Sequence, residues 1–157
     1  MDLKFRFATL EATGVETKDG KKRVAFSFSS ETPCLAVGDG EDFDKGKLFY
    51  EVLDHSDERH ADLSELKNRG AFLDEHKVQF PIGAIVDAKI DTTDRKGRGV
   101  AEMDTDGLGK ERSRQMENGI RPNISIAYKT KSLLGETVHA DGKKIRRFSW
   151  EVFEASS

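Results

Sequence analysis

A single cysteine, Cys34, stands among the 157 residues, so no intrachain disulfide can form and the fold must be held by its core alone. That scarcity suits a reducing compartment, and the thiol reads as a small, partly buried hydrophobe rather than a reactive group. Long apolar runs are also missing. The opening Met1-Asp2-Leu3-Lys4-Phe5-Arg6-Phe7 alternates instead of sustaining an apolar region and carries no cleavage signal, which argues against secretion and membrane insertion. Charge of one sign is missing as well. Lys and Arg number 26 against 29 Asp and Glu, a net charge of -3, so no basic field draws nucleic acid to the surface. There is no internal repeat and no low-complexity tract, and the length fits one domain over residues 1–157.

What the chain does contain is alternation. Leu3, Phe5 and Phe7 oppose Lys4 and Arg6, and Val24, Phe26 and Phe28 line one side of Arg23 to Ser30. These are two half-buried strands, joined by a polar stretch with a turn at Asp19-Gly20 and closed by Pro33. Residues 36–47 read as an exposed loop, and 48–53 as a third strand. Asp62 caps a short helix that Gly70 stops. Ala71-Phe72-Leu73 runs inward toward Asp74-Glu75-His76, and Pro81 opens a hairpin of 82–90 and 100–103 around a basic turn at 95–98. Thr105 or Asp106 caps a helix over 107–118 with Leu108, Met116 and Ile120 inward, and Gly119 ends it. A strand from Asn123 to about Leu134, a hairpin over 135–142 and a strand from Ile145 to Phe153 follow. The pattern predicts a mainly β fold with short helices (α+β): an antiparallel, partly closed β-barrel flanked by helices. The chain stops in strand pattern soon after Trp150, so a trimmed end or a continuing region is expected.

One stretch carries chemistry. In Arg121-Pro122-Asn123-Ile124-Ser125-Ile126-Ala127-Tyr128-Lys129, the residues Ile124, Ile126 and Tyr128 share one face, so Ser125 lies on the other, three residues into a strand that starts at a sharp corner. Catalysis by a serine needs a base for the hydroxyl proton and a third group to orient that base. Of four histidines, His55 and His60 sit in the polar run Asp54 to His60, and His139 lies at a hairpin tip. His76 alone follows an apolar segment leading to the edge of the core, which makes it the natural base. Glu151 and Glu154 are the candidate orienting carboxylates, provided that the last strand pairs with the one bearing Ser125. His55 and His60, beside Asp54, Asp57 and Glu58, offer a weaker metal-binding alternative whose spacing fits no standard zinc site.

Five ordered motifs then resemble those of the tailed-bacteriophage prohead maturation proteases: Phe26-Ser27-Phe28-Ser29-Ser30-Glu31; Glu51-Val52-Leu53-Asp54-His55 with Ala61-Asp62-Leu63-Ser64; Phe72-Leu73-Asp74-Glu75-His76 with Ile82-Gly83; Gly119 to Tyr128; and Trp150 with Glu154-Ala155-Ser156. That family is similar in fold to the herpesvirus assemblins. The resemblance implies a serine endopeptidase with His76 as general base, Ser125 as nucleophile and Glu154 as the third member, with Glu151 as the neighbour to exclude. No cofactor and no metal are expected, and neither nucleic acid nor membrane as partner. It implies extensions of the phage scaffold and major capsid proteins as substrates, self-cleavage, a homodimer through the 107–118 helix, and action inside the immature prohead in the host cytoplasm. The chain departs from the family pattern at Glu75, at Ala127 where glycine is common, and in breaking off at Ser157. Arg146-Arg147 look like the paired arginines of assemblins but precede the carboxylate motif, so they read as strand-edge charges. The competing expectation is an assembly module that binds capsid protein without cutting it.

Overall fold

The computed structural model describes residues 3–9, 15–38, 46–119 and 123–157. Most of the expected loop over 36–47 falls outside these, as do Ile120, Arg121 and Pro122. In chain order the strands are β1 (Lys4–Thr9), β2 (Val15–Lys18), β3 (Lys21–Ser30), β4 (Cys34–Val37), β5 (Leu48–Leu53) and β6 (Ala61–Asp62). Then come α1 (Ser64–Arg69), β7 (Ala71–Asp74), β8 (Lys77–Asp91), β9 (Lys96–Met103), α2 (Gly107–Glu117), β10 (Asn123–Val138) and β11 (Lys144–Ser156). No described helix is long and apolar enough to cross a membrane.

One sheet takes all the strands, in the order β1-β10-β11-β7-β8-β9-β3-β2, with β5 and β6 also paired to β11 and β4 to β5. It curls until β1 approaches β3 without pairing to it. The result is an open half-barrel, mainly β with short helices, rather than a closed barrel. The expected antiparallel pattern has an exception at β11, which pairs in parallel with β5, β6 and β7 in turn. β11 is 13 residues long, so three short segments fit along its far side, with β6 rejoining it after the 3-10 turn Glu58–His60 and β7 after α1.

More strands form than the alternation suggests, because β4 and β6 are too short to show a period. The expected hairpin after Pro81 forms between β8 and β9, but β8 begins at Lys77, ahead of the proline, and the chain makes a further reversal at Glu75-His76. β10 differs from the expected half-buried strand too, since Ile124 to Tyr128 are buried on both faces. Ile124, Ile126 and Tyr128 join the core with Phe26, Phe28, Phe72 and Trp150, while His76 covers the opposite face at Ser125.

Edge strand β1 is tied down by a buried carboxylate. Glu51 on β5 is 1% exposed and accepts hydrogen bonds from Lys4, Arg6 and the Tyr128 hydroxyl. Arg6 reaches further, to the Glu51 carbonyl at 2.8 Å and the Thr32 carbonyl at 3.0 Å. Burial acts to raise the Glu51 carboxyl pKa, but the Lys4 and Tyr128 bonds and the charges of Lys4 and Arg6 outweigh it and hold the group below the usual carboxylate range.

α2 meets the sheet through Gly109, Ser113 and Met116, with Leu108 packed only at the core margin. A Cβ on Gly109 would lie 2.6 Å from the Ile82 carbonyl oxygen, so only glycine permits this approach. Gly109→Ala is therefore expected to lose about 1–3 kcal/mol of stability despite alanine's helix preference, read as a lower urea midpoint at unchanged m. An equal or higher midpoint would show that the helix stands off freely.

Candidate active site

β7 and β8 are joined by only two residues, since Asp74 pairs with Lys77. Both lie in the left-handed region, Glu75 at φ 49° and His76 at φ 59°. A two-residue hairpin whose central residues both have positive φ is a type I′ turn, which favours Asn and Gly because other side chains strain it by about 1–3 kcal/mol each. Glu-His pays that strain, and the neighbouring backbone holds it. The Glu75 amide donates to the Ser157 carbonyl at 3.1 Å and the Ser157 amide to the Leu73 carbonyl at 3.0 Å, while Ala155 and Ser156 run beside Phe72 and Leu73.

The turn sets the imidazole over β10. Ser125 lies between Phe7 of β1 and Ser156 of β11 in register, and its Oγ is 2.7 Å from His76 Nε2. His76 Nδ1 is 3.1 Å from Glu154 Oε1. An ionised carboxylate only accepts, so Nδ1 carries the proton and donates to Glu154, while Nε2 accepts from the Ser125 hydroxyl. The serine is 6% exposed, and the ring and carboxylate are mostly covered.

Glu154 faces His76 because of a β-bulge. Consecutive residues Ala127 and Tyr128 pair with Glu154 and Val152, so Phe153 is the extra residue. In a regular strand, alternation would put Glu154 on the core face with Trp150 and Val152, and would leave Glu151 on the outer face. The bulge reverses the parity and re-aims Glu154 to the Ser125 side. Glu151 instead pairs in register with Lys129 and Asp62, further along the strand.

The other histidines do not meet Ser125. His55 repeats part of the arrangement, with Nε2 2.8 Å from Ser29 Oγ, but its Nδ1 donates to the Leu53 carbonyl at 2.7 Å and its ring lies sealed beside Trp150. It has no carboxylate on Nδ1 and no access to a substrate. His60 Nδ1 contacts Asp54 at 2.6 Å, and His139 sits on the Tyr50 ring. Among the described residues no cluster of metal-ligating side chains forms, so the His55 and His60 pairing for a metal is not assembled. Arg146 and Arg147 are not strand-edge charges. Arg146 is buried over the Phe49 ring and bonded to Glu136, and Arg147 grips Asp54 and Glu31, because that stretch of β11 is flanked by β5 as well as β10.

Phe5, read from sequence only as one apolar position of the first strand, places its ring 4.9 Å from the His76 ring at 67°. Its register partner Ala127 puts it there, and no local signal marks such a pairing. Phe5 is 53% and Phe7 78% exposed, so aromatic surface borders the serine. No family model, no curated protein and no solved structure matches this chain.

The buried polar groups beneath Trp150 set an acid limit on the fold. Burial pushes the His55 pKa down, only partly opposed by its bond to the Leu53 carbonyl. Burial would raise Asp54, but bonds from His60, Arg147 and Ser56 win and hold it well below the usual carboxylate range. Both folded pKa values are thus depressed, so the stability they confer is complete above the unfolded values, about 6.5 for histidine and about 4 for aspartate, and drains as pH falls below them. Unfolding midpoints in urea are expected to decline from about pH 6.5 downward, and His55→Gln to flatten the part that lies above the aspartate range. Parallel pH curves for the two proteins would count against this assignment.

Proposed function

We propose that the chain is a serine endopeptidase of the prohead-maturation kind, assemblin-like in architecture, with Ser125 as nucleophile, His76 as general base and Glu154 as orienting carboxylate. One observation carries the reading: residues from three separated parts of the sequence form a continuous hydrogen-bonded line, serine to imidazole to carboxylate. In the proposed reaction the Ser125 oxygen attacks the scissile carbonyl as Nε2 takes its proton. The imidazolium so formed is stabilised by Glu154 and returns the proton to the leaving amine. A water, activated by the same nitrogen, then releases the acyl group from Ser125. The motif resemblance supplies the substrate class: extensions of the phage scaffold and major capsid proteins, and the chain itself, cut by a homodimer inside the immature prohead in the host cytoplasm.

The expected outcome is that a fluorophosphonate probe labels Ser125 in the wild type, and that Ser125→Ala and His76→Ala lose both labelling and cleavage with an unchanged circular dichroism spectrum. The loss of turnover is expected at about 10⁶-fold for the serine or histidine, and about 10²–10⁴-fold for Glu154→Gln, which keeps the shape but loses the charge. Equal cleavage by the Ser125→Ala protein would end the reading. An unlabelled wild type that still binds capsid protein would replace it with an assembly module.

A further inference from the structure

We infer that Arg112 is a positioning residue for His76, acting through Asp74 and the strained turn. The inference rests on the peptidase reading above. The α2 helix holds the β7–β8 hairpin at two points. On β8, Gly109 packs against the Ile82 carbonyl oxygen, and the Asp104 amide donates to that same oxygen at 2.9 Å. On β7, Arg112 Nε donates to Asp74 Oδ1 at 2.8 Å and Nη2 to Oδ2 at 3.4 Å. Asp74 is buried, and it is the last residue before the turn. A guanidinium held at two points fixes the direction of the carboxylate it grips, as well as its charge.

The consequence follows from the backbone. Glu75 and His76 both occupy a conformation that their side chains disfavour, so the turn relaxes toward negative φ wherever its supports give way. β11 supports it from one side through Ser157, and α2 from the other through Arg112. Loss of the α2 support swings the imidazole away from Ser125 while leaving the serine, its strand and the surrounding aromatic surface in place. Substrate binding is then spared, and the chemical step slows.

A purely structural ion pair would cost stability alone, so the test needs a rescue that only strain relief provides. Asn accepts the left-handed region more readily than Glu. Because the exposed Glu75 side chain carries a charge that meets Lys77 and acts on Arg112, Glu75→Gln, which removes the charge and keeps the strain, is the control and is expected not to restore the rate. Arg112→Met, Glu75→Asn and the double variant are compared by fluorophosphonate labelling and by peptide turnover. Arg112→Met is expected to lower kcat and the labelling rate by about 10- to 100-fold with little change in KM. Glu75→Asn is expected to act like the wild type, and the double variant to recover most of the lost rate. Wild-type labelling in Arg112→Met, or no recovery in the double variant, overturns the inference. If Arg112→Met does not fold, Arg112→Lys is read instead, because an ammonium cannot make the two-point grip: slower labelling rescued by Glu75→Asn is expected, and wild-type labelling overturns it.

A failure of the peptidase reading is visible separately, as a wild type that never labels. In that case the His76 ring resonances carry the test. Arg112→Met is expected to shift them and Glu75→Asn to reverse the shift, and unmoved resonances overturn the inference.

Discussion

The pairing of β10 with β11 is the constraint on which the remaining geometry depends. β11 pairs with β10 along one side and with β5, β6 and β7 in succession along the other, so each half of the sheet is located relative to this strand. Its register places Ser156 opposite Ser125 and Glu154 opposite Ala127, and its last residues support the turn that bears His76. Imidazole and carboxylate are thereby referred to the same strand, and the serine to its immediate neighbour. A slip of one residue would move every side chain to the other face. The bulge at Phe153 is such a slip, confined to one position: it keeps Trp150 and Val152 in the core and still turns Glu154 outward.

Two serine–histidine contacts in one small protein show what distinguishes a candidate site from packing. Ser29 and His55 are as close as Ser125 and His76, but the first pair is sealed against Trp150, and its second ring nitrogen faces a neutral carbonyl. An imidazole there gains little from becoming charged, and burial opposes the charge. The second pair lies at the margin of the sheet, with a carboxylate on the second nitrogen and exposed aromatic rings beside it. The difference is the environment of the far nitrogen, which the spacing of residues does not reveal.

Strain and support are balanced locally. The hairpin tip takes a backbone shape suited to Asn-Gly while presenting Glu-His, and it survives because a strand end and a helix both hold it. Edge strand β1 is held in the same manner, by a buried Glu51 that gathers two cations and a phenol, and it brings Phe5 onto the imidazole. Each of these supports reaches far along the sequence, so the site draws its rigidity from the whole sheet rather than from its own loops.

The local patterns of the chain determined a good deal. Alternation located the strands around Phe26, Ile124 and Trp150, because side-chain direction has a fixed period of two. Gly70, which ends α1 in the left-handed region, was legible because few other residues tolerate that shape. His76 and Ser125 stood out because one ended an inward apolar run and the other sat at the start of a strand. The choice between Glu151 and Glu154 came from the motif resemblance and was not legible in the alternation, since strict alternation favours the wrong face and a bulge leaves no mark in composition. Neither was the turn at Glu75-His76, whose residues lack turn preference, nor the parallel pairings of β11, nor the Phe5 contact. Those depend on which distant segments share hydrogen bonds, and only the folded sheet, by burying one face and matching donors to acceptors across it, decided them.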